Sequence, residues 1–168
     1  IVAYQFNPLD NLNVFSNDAS QLLPESALVS SGGGTSYVVD GWPQTIATSD
    51  VPSQNFGTDL RAFVAIVGTR PDTHVHVQTT ARVIPGGPLG NGLDQGGTAD
   101  VVLQPFEVLN LETGGFNADF TGTTIRADKA VAVFPGSEAS DAPSFQTLAD
   151  RFCCADHLEE QLPPVHTV

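Results

Sequence analysis

Residues 60–84 read LRAFVAIVGTRPDTHVHVQTTARVI, and their pattern decides the fold class. Residues 60–67 are a near-continuous apolar run, suited to a strand buried on both faces. Residues 73–84 are rich in Val and Thr, whose branched side chains fit a pleated surface, and read as one long strand or two joined at Gln78. Arg70-Pro71-Asp72 between the runs is turn chemistry, which predicts a hairpin. Working outward, residues 101–103, 107–111, 123–126 and 130–134 supply further short strands, punctuated by 12 Pro and 16 Gly across the chain. Helical spacing is confined to residues 18–23 and 150–161. The expected architecture is all-β, a sandwich of antiparallel sheets with one or two short helices.

The chain has 168 residues, 40% of them hydrophobic, which excludes a disordered acidic tail and leaves enough for a sizeable core. Asp and Glu number 19 against 6 Lys and Arg, a formal net charge of −13. With no basic stripe to displace counterions from phosphates, nucleic acid is excluded as a partner. An anionic membrane surface is disfavoured on the same ground. No run approaches the ~18 consecutive apolar residues that cross a bilayer. Such an acidic surface with a single lysine, Lys129, suits a protein kept soluble in salty water by hydrated carboxylates.

No Gly-x-Ser-x-Gly elbow is present: Gly136-Ser137-Glu138 follows a proline and lacks the closing glycine. Glu159 and Glu160 are adjacent, so on a helix they point about 100° apart and cannot flank a substrate. Nothing in the spacing of Asp128, Asp141, Asp150 or Asp156 selects an acid or base, and no catalytic residue is expected. Residues 86–97 (GGPLGNGLDQGG) lack the Lys-Ser/Thr ending of a phosphate loop and read as a flexible connection, as residues 30–34 (SSGGG) read as a turn or linker.

His74 and His76 stand two apart in a strand pattern, so both project from one face. Cys153, Cys154 and His157 form a second cluster, and thiolates with imidazoles suit Zn²⁺. The adjacent cysteines lack the usual two-residue gap, and nothing in the sequence brings the clusters together. An exposed polar strand face is therefore the preferred reading of the His pair, with a zinc domain or zinc enzyme as the alternative. The Asp-x-Asp-x-Asp-Gly calcium loop is absent, and Asp-Gly occurs only at Asp40-Gly41, although scattered loop carboxylates suit Ca²⁺. No cofactor is expected, with Zn or Ca as alternatives. The two cysteines are compatible with a strained vicinal disulfide, two reduced thiols, or bridges to cysteines elsewhere in a longer protein.

An internal echo bears on domain organisation. Val2-Ala3-Tyr4 matches Val131-Ala132-Val133 at an offset of 129, and Asp18 with Leu23-Pro24 matches Asp156 with Leu162-Pro163 at offsets of 138 and 139. The chain also opens and closes in strand-like sequence, without an initiator Met or signal peptide. These features predict a window on a tandem array: residues 1–27 as the tail of a preceding unit, residues 28–164 as a complete unit, and residues 165–168 as the start of another.

The stretch DFTGTTIRADKAVAVFPG (residues 119–136) resembles the D-L-T-G-T-x-I-x-A-D-K-P-V-A-V-F-S-G motif of IgGFc-binding-type domains. CCADHLEEQLPP (residues 153–164) is similar to that family's C-D-H-L-x-E-Q-L-P-P signature, and residues 2–8 and 15–20 resemble its bacterial branch. With a looser match over residues 63–83, the resemblance covers most of the chain. Ala130 stands where the family usually has Pro, and Pro135 replaces the usual Ser. The resemblance implies an extracellular or cell-surface β-rich module of long mosaic proteins, in a family named for antibody Fc binding by an animal mucosal member. It carries over no catalytic motif, and Fc binding does not transfer by fold analogy.

Within the signature, Asp156 is expected to N-cap a helical turn over residues 157–161, with Glu159 completing a capping-box pattern. Leu158 and Leu162, four apart, would bury together, and Pro163-Pro164 would stop the helix. Gln161 lies inside this structural plug, which is expected to sit against the sheet. The functional expectation is a non-enzymatic extracellular binding or structural module of a larger surface or secreted protein, in adhesion, surface-layer or filament assembly. Its partners are other protein chains or neighbouring units, met through loops and strand edges such as residues 86–97. Besides the zinc alternative, a carbohydrate-binding module would stack sugars on Trp42, Tyr37 or Tyr4.

Overall fold

The structure, a computed structural model, describes residues 2–6, 19–29, 32–48, 57–142, 144–152 and 155–165. Among these residues the strands are β1 (Ala3–Phe6), β2 (Ala19–Leu22), β3 (Thr35–Val38), β4 (Thr45–Ile46), β5 (Asp59–Leu60), β6 (Ala62–Gly68), β7 (Thr73–Gln78), β8 (Thr98–Leu103), β9 (Val108–Glu112), β10 (Thr124–Ala127), β11 (Val131–Ser140) and β12 (Asp156–Glu159). Two four-stranded antiparallel sheets, ordered β12-β11-β6-β9 and β3-β10-β7-β8, share one core, and β1-β2 and β4-β5 form two-stranded ribbons. Val64, Ile66, Leu109, Leu111, Val131 and Val133 from the first sheet pack in one cluster with Tyr37, Val75, Val77, Leu103 and Ile125 from the second. The expected all-β sandwich is borne out.

The decisive stretch folds somewhat differently from its reading. In β6 only alternate residues are fully buried: Ala62, Val64, Ile66 and Gly68 face the core, while Phe63, Ala65 and Val67 are half-buried. The turn after it does not close a hairpin. β6 is flanked by β11 and β9, and β7 by β10 and β8. Arg70-Pro71-Asp72 is instead a corner carrying the chain from one sheet to the other. Asp72 takes a positive φ of 50°, and the Lys129 ammonium donates to the Pro71 and Asp72 carbonyls at 2.6 and 2.8 Å. The division at Gln78 is found: β7 ends there, and Val83 makes a separate bridge to Leu93.

Neither expected helix forms among the described residues. Residues 19–22 are strand β2, paired with β1, while Asp18 lies outside the described residues. Residues 156–159 are strand β12, and the backbone N–H groups of Glu160 and Leu162 continue the ladder to the Pro135 and Val133 carbonyls, at 3.2 and 2.9 Å. Asp156 therefore caps no helix, and its carboxylate accepts the N–H of His157 at 2.9 Å. The helical content of the described residues is three single 3-10 turns, Glu25–Ala27, Gly87–Leu89 and Leu148–Asp150.

Pro135 is accommodated inside β11 although that strand has a neighbour on each side. Its carbonyl, and so its missing donor, faces the β12 side, where the carbonyl accepts the Glu160 N–H at 3.2 Å. The ladder to β6 loses nothing. The glycine-rich stretch 86–97 also departs from its reading as a flexible connection. The Val83 and Leu93 backbones exchange hydrogen bonds at 2.9 and 3.1 Å, Thr79 bonds to Gly96 and Gly97, and Leu89 and Leu93 pack on the core.

Among the described residues, the β1–β2 ribbon, the segment after it and Val165 are bonded to the two-sheet body. The Gln161 side-chain oxygen accepts the Leu23 N–H at 2.6 Å, and the Gln161 N–H donates to Ser20 Oγ at 3.0 Å. Gln5 Nε2 donates to the Glu159 carboxylate at 3.1 Å, and Arg70 pairs with Glu25 at 2.6 Å. The Val165 N–H bonds to the Ser36 carbonyl at 2.7 Å.

Candidate binding surface

The alternation in β7 turns Thr73, Val75 and Val77 inward and His74, His76 and Gln78 outward, as the two-residue spacing predicts. Register then fixes their neighbours. His76 lies between Asp100 on β8 and Arg126 on β10, and His74 faces Val102. His76 Nδ1 stands 2.8 Å from Asp100 Oδ1, and Asp128 Oδ1 accepts the His74 backbone N–H at 2.9 Å. These side chains line a shallow groove of about 300 Å³ on the outer sheet face. The His76–Asp100 contact is solvent-exposed, so it contributes at most about 1 kcal/mol to stability.

His157 is on β12, in the other sheet from His74 and His76. It stacks on Phe63, with ring centroids 6.2 Å apart, and its Nε2 is 3.6 Å from the Glu159 carboxylate. Cys153 and Cys154 lie outside the described residues. Among the described residues no three His, Cys, Asp or Glu side chains converge as a metal centre. Glu159 is held below the usual carboxylate range, first by the neighbouring imidazole and then by Gln5, with burial opposing.

The remaining signature residues are structural in their contacts. Leu158 pairs with Ser137 across the ladder, Leu162 packs on the core, Gln161 is buried between β2 and β11, and Pro163 is exposed. Three of the candidate acids are engaged locally: Asp128 with His74, Asp150 with the Thr147 hydroxyl at 2.7 Å, and Asp156 with its neighbour. Asp141 is buried in an ion pair with Arg151 at 2.7 Å, and also accepts the Thr45 hydroxyl at 2.7 Å. Of the aromatics weighed for sugar stacking, Tyr37 is a core residue whose hydroxyl donates to the Val131 carbonyl at 2.6 Å. Burial pushes its phenol above its ordinary pKa. Trp42 is half-buried and Tyr4 exposed.

One feature that the sequence reading missed lies between β8 and β9, the edge strands of the two sheets on the same side of the sandwich. Gln104-Pro105-Phe106-Glu107 forms a turn closed by the Glu107 N–H to the Gln104 carbonyl at 3.1 Å. Proline in second place and a positive φ in third are the marks of a type II turn, whose third residue is ordinarily glycine. Here it is Phe106, with φ 67° and 90% of its surface exposed. The turn is held firmly: the Phe106 N–H donates to Gly68, the Glu107 carboxylate accepts the Gln104 N–H, and the Gln104 amide donates to Asp72. Val102 and Val108 flank it, both exposed. The signal was Pro-Phe between two strand patterns, a combination that names a turn but not its type.

No helix among the described residues is long and apolar enough to cross a membrane. A family model described as IgGFc binding protein matches residues 18–168. No curated protein and no solved structure matches the chain.

Proposed function

Because the chain belongs to the IgGFc-binding family, a family of binding modules, we propose that it is a non-enzymatic, protein-binding unit of a larger surface or secreted protein. It holds other protein chains in an adhesive or assembled layer outside the cell. The observation that supports this reading is Phe106. A large aromatic side chain with positive φ costs the fold on the order of 1 kcal/mol, and Phe106 recovers nothing by burial. Residues that break a local rule without a structural return belong to function. A rigid, solvent-facing aromatic on a pinned turn is the form that interface anchors take, since little entropy remains to be lost on binding.

A photo-reactive benzoylphenylalanine in place of Phe106, within the full-length protein in its native setting, tests this. The expected result is an adduct of one defined mass with another protein chain. Unlabelled wild-type domain should compete it away, and a Phe106→Asn domain should not. No adduct above that of the same probe at Phe152, or equal competition by both domains, would overturn the proposal.

A further inference from the structure

We propose that the β1–β2 ribbon is the closing hairpin of another unit of this same fold, carried ahead of the sandwich on the same polypeptide. In that role it is the joint through which consecutive units lock together. The inference goes beyond the binding reading and stands without any partner at Phe106.

The internal echo has a structural counterpart. β1 pairs antiparallel with β2 as β11 does with β12, and both returning segments run into Leu-Pro. In the sandwich, Leu162 lies across from Val133 and packs on the core. In the ribbon, Tyr4, the counterpart of Val133, lies across from Gln21. The register differs by two residues, an even shift that leaves every side chain on its own face.

The two faces of the ribbon differ in a way that fits a joint. One carries Gln5 and Ser20, which bond to Glu159 and to the Gln161 N–H of this sandwich. The other presents Val2, Tyr4 and Phe6 in a row, 63%, 56% and 74% exposed, with the two rings 6.5 Å apart. An exposed apolar stripe on a two-stranded ribbon calls for cover. The echo names its occupant, because Val2, Tyr4 and Phe6 match Val131, Val133 and Pro135. All three counterparts are buried in this sandwich, and Val131 and Val133 belong to the core cluster shared with the facing sheet. The stripe is therefore matched to the facing sheet of a like unit, which lacks its last hairpin unless the ribbon supplies it.

The test is hydroxyl-radical footprinting with mass spectrometry on the native full-length chain, comparing Tyr4 and Phe6 with the exposed ring of Phe152. Loss of oxidation at Tyr4 and Phe6, persisting on dilution, is expected. Its reversal by the double substitution Tyr4→Asp, Phe6→Asp is also expected, with this sandwich's own melting unchanged. Oxidation at the rate of Phe152 would overturn the proposal. So would protection that disappears on dilution, which marks separate chains associating, or a native chain with no like unit before Ile1. None of these results bears on cross-linking at position 106.

Discussion

Gly136→Ala adds one methyl group at a place where the fold has no room for it. Gly136 sits inside β11, opposite Phe63 on β6 and Glu159 on β12. An added Cβ would collide with Phe63 Cζ, stand 2.9 Å from its Cε2 and 2.5 Å from the Leu158 carbonyl oxygen. The Phe63 ring thus lies over the glycine and holds its stack on His157 from there. Swinging the ring away forfeits an aromatic contact worth about 0.5–1.5 kcal/mol. The carbonyl belongs to backbone and cannot rotate aside, so β12 must also shift. Overpacking of this kind costs about 1–3 kcal/mol, and the entropic gain of Ala over Gly returns about 0.5–1 kcal/mol. The net expectation is a loss of about 1–2 kcal/mol, read in urea denaturation as a lower midpoint at unchanged slope. Phe63→Leu in the same chain removes two of the three clashes and should recover part of the loss, a coupling of about 1 kcal/mol. A Gly136→Ala variant as stable as the wild type, or strictly additive effects in the double variant, would refute the reasoning.

Phe106→Asn should leave the melting temperature unchanged or raise it, because Asn tolerates a positive φ; differential scanning calorimetry checks this, and a marked drop would mean that Phe106 serves the fold. Arg151→Met strips the buried Asp141 carboxylate of its ion pair and should cost about 3 kcal/mol in urea titration, a loss below about 1 kcal/mol refuting it. Glu159 has its folded pKa lowered from 4.5, so its contribution is present above pH 4.5 and lost as pH falls through the lowered value. Hydrogen exchange in β1 and β2 should accelerate over that window, and Glu159→Gln should flatten the dependence.

How much of this was legible in the sequence depends on whether one period was enough to decide. Period two in THVHVQ fixed which side of β7 faces the core, and so placed His74 and His76 outward. The same rule could not separate helix from strand in the signature. Leu158 and Leu162 share a face at a spacing of four in either conformation, and the partner that decides is β11, more than 20 residues upstream. The hairpin expected at Arg70-Pro71-Asp72 failed for a similar reason: local chemistry specifies a reversal, while the choice of sheet depends on β9 and β11 claiming both edges of β6. Gly136 was visible as a letter in a family motif and in a failed nucleophile elbow. Its physical role appears once Phe63 is known to lie across from it.

The acidity acquires a sharper meaning from where the cations are. Arg61 lies beside Asp59 and Glu112, Arg70 pairs with Glu25, Arg151 with Asp141, and Lys129 donates to the corner carbonyls of Pro71 and Asp72. Four of the six basic residues are thus turned to internal connections. Three of those connections serve the sheet-to-sheet corner, the 3-10 turn after β2 and the end of β11. The carboxylates that make up the excess of 13 negative charges are correspondingly left to the surface. An outer surface of this kind repels other acidic chains and copies of itself at long range. Association must then come from short-range apolar contacts at defined places. Among the exposed apolar groups of the described surface are the ring of Phe106 at the edge-strand turn and the Val2, Tyr4 and Phe6 stripe, which has the separate task of joining units. Broad repulsion interrupted by a few defined apolar groups is how a module avoids indiscriminate sticking while remaining able to bind.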